Sequence, residues 1–295
     1  MLIQYREYKF RPDSEALIQT ANEIIANYQS QGFTLTLRQL YYQFVSRNLV
    51  KNNQKSYDNL GVLISKARLA GLVDWEAIED RTRNLKGVAH WSDPLDYMTV
   101  DESGYRVDLW ENQEYRPEVW IEKDALVGVI EAVCNRNDVP FFACRGYSSQ
   151  SEQWRAGQRF ESYIANGQIP VVIHLGDHDP SGLDMTRDNA DRLAMFANER
   201  VEVRRIALNF DQVQKHKPPP NPAKLTDSRA NAYIAEHGRD SWELDALEPK
   251  VIVELIEKQI KKYRDPDALK KTLAKQEKDR KEIRRLIDLI ENEAQ

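Results

Sequence analysis

An apolar run leads directly into an acidic turn at residues 171–182, which read VVIHLGDHDPSG. The apolar half is typical of a buried strand, and Pro180 followed by Gly182 indicates a turn into a helix. Three further strand-like runs occur in the chain, at residues 119–121, 141–143 and 203–206. Because helix-length amphipathic segments separate these runs, the pattern indicates a parallel sheet with right-handed crossovers. The sequence therefore predicts an α/β domain over residues 117–248.

The composition is that of a soluble globular protein. The 295 residues give room for about two domains, and 41% of them are hydrophobic while 30% are charged. The start lacks the apolar core of a signal peptide and no apolar run could span a bilayer, so we expect a cytoplasmic protein without membrane contact. The two cysteines, Cys134 and Cys144, have no metal-type spacing and are expected to be reduced packing thiols.

Three short helices with tight turns are predicted before the α/β domain. Thr36 and Gln39 have the spacing of a capping box, which opens the second helix. Ser14 and Ser56 are predicted to cap the first and the third helix. The arrangement indicates a helix-turn-helix or winged-helix unit over residues 1–90.

Two other segments flank the α/β domain. Residues 91–116 are acidic and aromatic and contain proline, so we expect a linker there. Residues 249–295 are expected to form a helical tail, whose last helix begins at Asp265 and Pro266. Apolar residues in that helix recur at spacings of four and three, which favours a packing or partner role.

Positive charge is concentrated in the predicted N-terminal unit. Between residues 36 and 70 the basic residues are Arg38, Arg47, Lys51, Lys55, Lys66 and Arg68. The only acid there is Asp58, so the local charge is +5 in a protein whose net charge is -5. Because nucleic-acid binding follows local charge rather than the total, we expect this stretch to face double-stranded DNA. A solvated helical face is the alternative interpretation.

Two adjacent tyrosines in the second helix have different predicted environments. On a helical wheel Tyr41 shares an arc with Leu37 and Phe44 and is predicted to be buried. Tyr42 lies off that arc, and Arg38 is its neighbour one turn earlier. We expect Tyr42 to face solvent as an oxygen nucleophile, with Arg38 as a phosphate clamp. The alternative is a partly buried tyrosine with its hydroxyl bonded.

Three carboxylates follow predicted strands. Glu122 ends one strand, and Asp177 and Asp179 follow another, where open α/β sheets place ligand sites. Alternation along an extended chain puts both aspartates on one side and His178 on the other, where a solvent or supporting role is expected for it. Converging carboxylates repel one another unless a metal neutralises them. The pattern therefore predicts an oxygen cage for Mg²⁺, or for Mn²⁺, in preference to an ordinary loop.

These motifs resemble a known family. Glu122 followed by a helix, then Gly146-Tyr147, then the turn at 177–182 resemble a Toprim domain of the topoisomerase VI A subunit and the meiotic double-strand-break protein. The stretch RQLYY at 38–42 resembles their winged-helix tyrosine motif. The resemblance covers about residues 14–85 and 117–250, and the chain looks like the compact relatives called Mini-A, often carried on mobile elements. It departs from the family at Ser148-Ser149, where a proline close after Gly146-Tyr147 would be expected.

The resemblance implies a chemistry and a set of partners. Tyr42 would attack a DNA phosphate to give a 5′-phosphotyrosine, with Arg38 assisting and Glu122 as general acid/base. Asp177 and Asp179, with Glu122, would hold Mg²⁺. The implied assembly is a homodimer in which each tyrosine works with the metal site of the other subunit. No P-loop signature is present, so an ATPase would have to be a separate partner.

Three other functions are compatible with the same residues. A metal-dependent nuclease would use water as the nucleophile, with Tyr42 only touching DNA. A DNA-binding regulator would keep the site without turnover. A Toprim primase or recombination mediator would leave the tyrosine helix without a role.

Overall fold

The computed structural model of the chain describes residues 2–78, 104–148 and 150–293, with the side chains of 150, 151 and 290–293 outside that description. Within these residues the chain forms ten α-helices and a four-stranded parallel sheet. The helices are α1 (Pro12–Gln29), α2 (Leu37–Ser46), α3 (Gln54–Leu69), α4 (Val127–Arg136), α5 (Gln150–Ala165), α6 (Pro180–Phe196), α7 (Phe210–His216), α8 (Ala230–His237), α9 (Pro249–Tyr263) and α10 (Pro266–Glu293). The strands are β1 (Tyr115–Ile121), β2 (Phe141–Ala143), β3 (Ile169–Leu175), β4 (Glu202–Ala207), β5 (Asn221–Pro222) and β6 (Asp240–Ser241).

The parallel sheet has the strand order β2-β1-β3-β4, which confirms the predicted alternation of strands and helices. Successive side chains of β1 point to opposite faces of the sheet, as the pleat requires. Val119 and Ile121 pack into a core shared with α4 and α9, whereas Trp120 packs into a second core shared with α5 and α6. A sheet covered on both faces needs nearly continuous apolar strands, which β1 and β3 supply.

Helices α1, α2 and α3 pack around a separate apolar core. Its buried members include Ala21, Leu40, Phe44, Leu60, Ile64 and Ala67. The predicted capping box is confirmed, since the Gln39 N–H donates to Thr36 Oγ1 at 3.2 Å and the Thr36 N–H donates to Gln39 Oε1 at 2.9 Å. The part of this unit predicted at residues 79–90, where a wing would lie, is outside the described residues.

Two predicted helix caps are wrong. Helix α3 begins about one turn earlier than predicted. The Asn53 side chain, not Ser56, caps it by accepting from the Ser56 N–H at 2.9 Å. Helix α1 begins at Pro12, so Ser14 lies inside its first turn. Proline has a preset φ and lacks the N–H that a first helical residue leaves unbonded, which suits it to this start.

The segments predicted to be a linker and a tail contribute to the sheet domain. Trp110 is buried, and its indole N–H donates to the Asn137 carbonyl at 3.0 Å. Strand β1 begins at Tyr115, inside the predicted linker, of which residues 91–103 lie outside the described residues. Helix α9 buries an apolar stripe against the sheet, made of Ile252, Ile256 and Ile260. Helix α10 begins at Pro266, as predicted.

None of the described helices combines the length and the apolar character needed to cross a bilayer.

Candidate active site

The carboxyl ends of β1 and β3 bring two predicted site residues together. These strands are parallel neighbours with Ile121 beside Leu175, so the residues that follow them lie at one edge of the sheet. The Glu122 N–H donates to the Leu175 carbonyl at 2.8 Å, and the Asp177 N–H donates to Glu122 Oε2 at 2.8 Å. Glu122 and Asp177 therefore converge although 55 positions separate them in the sequence.

Two glycines lie in crowded positions at the turn, Gly176 directly before it and Gly182 at its end. A Cβ on Gly176 would lie 3.0 Å from Glu122 Oε2, and one on Gly182 would lie 2.3 Å from the Asp177 carbonyl oxygen. Asp179 caps α6, since its Oδ1 accepts from the Gly182 N–H at 2.6 Å. The backbone therefore folds tightly enough that only glycine fits at position 182.

Gly182→Ala is expected to destabilise the protein strongly. The added Cβ meets backbone at 2.3 Å, so the turn carrying Asp177 must shift. Overpacking of this kind costs about 1–3 kcal/mol or more, equivalent to a fall in melting temperature of about 5 °C for a chain of this size. Gly104→Ala is the matched control, because no described residue lies within 4 Å of its added Cβ. Equal melting temperatures for the two variants would contradict the close approach.

A cavity of about 290 Å³ lies between the helical unit and this edge of the sheet. On one side it is lined by residues of α2 and the start of α3, which include Arg38, Tyr41, Tyr42, Asn53 and Tyr57. On the other side it is lined by residues of the sheet domain, which include Lys123, Asp177, Asp179, Asn221 and Glu243. The predicted nucleophile and two of the predicted metal ligands thus line one cavity within a single chain.

Tyr42 is buried, with 3% of its surface exposed, so the prediction that it faces solvent is wrong. The helical wheel considered α2 alone, whereas the segment 243–245 of the sheet domain covers the side of the helix that bears Tyr42. The predicted pairing with Arg38 is present, since Arg38 Nη2 donates to the Tyr42 hydroxyl at 3.2 Å. Burial raises the pKa of Tyr42 well above its ordinary value, and the Asp245 and Glu243 carboxylates raise it further.

Tyr41 is buried as predicted, and its hydroxyl has a structural partner. The Asn53 N–H donates to the Tyr41 oxygen at 2.8 Å, at the residue that caps α3. Tyr41 therefore fixes the start of α3.

The carboxylates at the sheet edge are costly to ionise together. Burial raises the pKa of Glu122 to about 7, and the charge of Asp177 contributes. Burial also raises the pKa of Asp177, although Lys123 opposes the shift with its Nζ 2.7 Å from Asp177 Oδ2. The other oxygen of Asp177 accepts from the Leu244 N–H at 2.8 Å.

This oxygen set fits a hard divalent cation by its chemistry and its charge. Carboxylates are the preferred ligands of Mg²⁺ and Mn²⁺, and a cation would offset the burial and the Asp177 charge that together raise the pKa of Glu122. The described residues do not preform such a site, however, since among them no three His, Cys, Asp or Glu side chains are arranged to hold a metal ion. Asp177 is instead paired with Lys123, and Asp179 with the start of α6.

His178 points away from the cavity edge, as the alternation predicts. Its Nδ1 lies 2.9 Å from the Tyr233 hydroxyl, and its ring packs among Phe210, His237 and Trp242. His178 therefore supports the fold behind the turn.

Three charged residues of the site were not predicted. Glu243 Oε2 accepts from Arg38 Nη2 at 2.6 Å and from Lys123 Nζ at 3.3 Å. Asp245 is buried, and its Oδ2 lies 3.3 Å from Arg38 Nε. The sequence held two signals for them: Lys123 directly follows Glu122, and Glu243 and Asp245 repeat the acid-x-acid spacing of the turn at 177–179.

Asp245 is expected to make the protein less stable as pH rises. Burial raises its pKa to about 7 from an ordinary 3.8, so the folded state holds this proton more tightly than the unfolded state does. Stability from this group is full below about pH 4 and is lost as pH rises to about 7, with a total on the order of a few kcal/mol. Asp245→Asn cannot ionise, so melting curves should show its stability rising relative to the parent between about pH 4 and pH 7. Asp240→Asn, at an exposed residue, should track the parent, and an equal pH response in all three proteins would contradict the expectation.

The predicted DNA-contacting residues fall into two groups. Arg47, Lys51, Lys55 and Lys66 are exposed. Lys51 and Lys55 flank the residues 52–54 that line the cavity. Arg68 is half-buried instead: it donates to the Ile78 carbonyl at 3.3 Å and lies 4.6 Å from the Trp75 ring centroid. Its guanidinium therefore holds the chain that follows α3, which makes it a poor candidate for a phosphate contact.

Comparison with protein-family models and with curated proteins finds no match for this chain. Fold and site define a mixed α/β protein with a four-stranded parallel sheet, whose acidic edge faces a tyrosine and an arginine of a packed helical unit.

Proposed function

We propose that this protein cleaves DNA by attack of Tyr42 on a backbone phosphate, as a winged-helix and Toprim enzyme of the topoisomerase VI A type. The observation that carries the proposal is the cavity shared by Tyr42, Arg38, Asp177 and Asp179. A tyrosine paired with a guanidinium beside clustered carboxylates is suited to phosphoryl transfer, where positioning and charge stabilisation supply most of the catalysis.

The proposed reaction exchanges one phosphoester for another. The Tyr42 oxygen forms a bond to phosphorus and loses its proton, while the bond from phosphorus to the 3′ oxygen breaks. The 3′ oxygen takes up a proton, and the 5′ phosphate stays on Tyr42. Arg38 stabilises the negative charge that develops on the phosphate. Glu122 is the proposed general acid/base, and before an ion binds, burial raises its pKa to about 7, near neutral pH.

Glu122, Asp177 and Asp179 would hold Mg²⁺ or Mn²⁺. The ion would neutralise phosphate charge at the sheet edge. In the proposed assembly the protein is a homodimer on double-stranded DNA, and any ATPase would be a separate partner.

A second candidate is a metal-dependent nuclease with water as the nucleophile. It is favoured by the burial of Tyr42, which raises the pKa of the hydroxyl and opposes attack by its oxygen. In that case Tyr42 and Arg38 would only orient the DNA.

Supercoiled plasmid incubated with the protein and Mg²⁺, then denatured with and without protease, tests the proposal. Transesterification gives broken DNA with protein attached, which enters a gel normally only after protease. A nuclease that uses water gives broken DNA whose migration in the gel is the same with and without protease. A DNA-binding regulator gives neither breaks nor adduct.

DNA binding is expected to depend on the exposed face of α3. Lys55 and Lys66 are eleven residues apart, which places them within about 20° of each other around the helix. The double variant Lys55→Glu/Lys66→Glu should weaken binding to any duplex sequence and flatten the salt dependence, because phosphate contacts release counterions. The double variant Lys270→Glu/Lys281→Glu is the matched control, with the same charge change and spacing on α10. Equal loss of affinity in both variants would contradict an interface on α3.

A further inference from the structure

One carboxylate of the cavity is held by three donors from three different elements. Glu243 Oε2 accepts from Arg38 at 2.6 Å and from Lys123 at 3.3 Å. Its Oε1 accepts from Asn221 Nδ2 at 3.3 Å. The two cations come from α2 and the end of β1, so Glu243 lies between the helical unit and the sheet.

One of these donors also contacts the atom proposed to react. Arg38 Nη2 donates both to Glu243 and to the Tyr42 hydroxyl, the latter at 3.2 Å. An anion in the place of the Glu243 carboxylate would therefore lie beside the tyrosine oxygen.

A carboxylate and a phosphodiester present similar features to such a site. Each carries one negative charge and two oxygens that accept hydrogen bonds. Arginine and lysine are the usual ligands of backbone phosphates, and side-chain amides also donate to them. The ion pairs with Lys123 and Arg38 keep Glu243 ionised, lowering its pKa although burial acts in the opposite direction.

We propose that Arg38, Lys123 and Asn221 form the binding site for the scissile phosphodiester of DNA, and that Glu243 fills this site in the free protein. The proposal rests on the proposed function, and it adds Lys123 and Asn221 to the residues that touch the substrate. DNA must displace the Glu243 carboxylate before its phosphate reaches Tyr42. Removing the Glu243 charge should therefore tighten DNA binding, because the competing anion is lost.

A simple structural ion pair makes the opposite prediction. If Glu243 only joined the helical unit to the sheet, Glu243→Gln would loosen the site, and DNA affinity would fall or stay unchanged. The sign of the change in affinity therefore separates the two roles.

The test measures binding without cleavage. Each variant is made in a Tyr42→Phe background, and its affinity for a short duplex is measured by fluorescence anisotropy in EDTA. Glu243→Gln should tighten binding at least threefold relative to Glu236→Gln, which removes the same charge at an exposed side chain on α8. Lys123→Met should weaken binding about tenfold and reduce the slope of log affinity against log salt by about 0.9, the value for one lost phosphate contact. Lys250→Met, on the exposed side of α9, is its control.

Unchanged or weaker binding by a folded Glu243→Gln would overturn the proposal, and melting curves establish that the variant is folded. If that variant does not fold, Lys123→Met decides alone: an affinity and salt slope equal to those of Lys250→Met would overturn it. The binding assay contains no metal and no reactive tyrosine, so its result does not depend on cleavage. If Glu243→Gln binds DNA more tightly but the parent forms no covalent adduct, the phosphate site is retained and transesterification is rejected.

Discussion

Tyr42→Phe is expected to abolish covalent attachment of the protein to DNA while leaving the fold and DNA binding intact. The ring keeps its buried place, and only the hydroxyl is lost. Arg38 retains its ion pairs with Glu243 and Asp245, so the wall of the cavity is preserved. To measure attachment, the protein is trapped on end-labelled DNA, and the linked residue is identified from the mass of the peptide that carries it.

Two further variants control this result. Tyr41→Phe should keep attachment but lose about 1 kcal/mol of stability, because its hydroxyl accepts the Asn53 N–H. Arg38→Ala should reduce the rate of attachment by about 10²–10³-fold, since one stabilising donor is worth about 2.7–4 kcal/mol. Linkage at Tyr41 would make that residue the nucleophile, whereas undiminished nicking by Tyr42→Phe without attached protein would favour the water nuclease.

Mixing two inactive variants is expected to give no covalent attachment. Tyr42→Phe lacks the nucleophile, and Asp177→Asn lacks a carboxylate of the sheet edge. In this structure both groups belong to one chain and line one cavity, so no active site in the mixture is complete. The family resemblance implies the opposite, because a tyrosine that works with its partner's carboxylates gives one intact site in each mixed dimer.

The mixing experiment needs subunits that exchange. The two variants are therefore co-expressed with different tags, and mixed dimers are isolated through both tags before the assay. Parent protein carrying the same two tags is the positive control. Attachment by the mixed dimer would show that the site is completed in trans and that the contact of Arg38 with Glu243 is exchanged for one between subunits.

Local sequence patterns predicted most of the framework. The capping box of Thr36 and Gln39 and the four parallel strands depend on residues close together in the chain, so spacing alone was sufficient. The meeting of Glu122 with Asp177 also followed from a local property, the ends of two parallel strands. These features require no knowledge of how the units pack.

Long-range contacts were beyond those patterns. Tyr42 is covered by Glu243 and Asp245, which lie about two hundred positions further along the chain, so no helical wheel could show its burial. Helix α9 was predicted to belong to a tail, because the sequence shows that one face of the helix is apolar but not which surface that face packs against. Arg68 was predicted to contact DNA from its charge alone. Its packing against the Trp75 ring depends on the fold of the chain after α3, which the local sequence does not show.

The stretch 243–248 joins the helical unit to the sheet through several contacts at once. Glu243 and Asp245 hold Arg38, and Glu248 accepts from the Tyr28 hydroxyl and the Gln43 amide. Helix α9 starts at the next residue and is anchored in the sheet core. The helical unit is therefore tied to the sheet by four side-chain contacts within six residues of the chain. Displacement of Glu243 by DNA would leave Asp245 and Glu248 in contact with the helical unit, so the phosphate site would empty without separation of the two units.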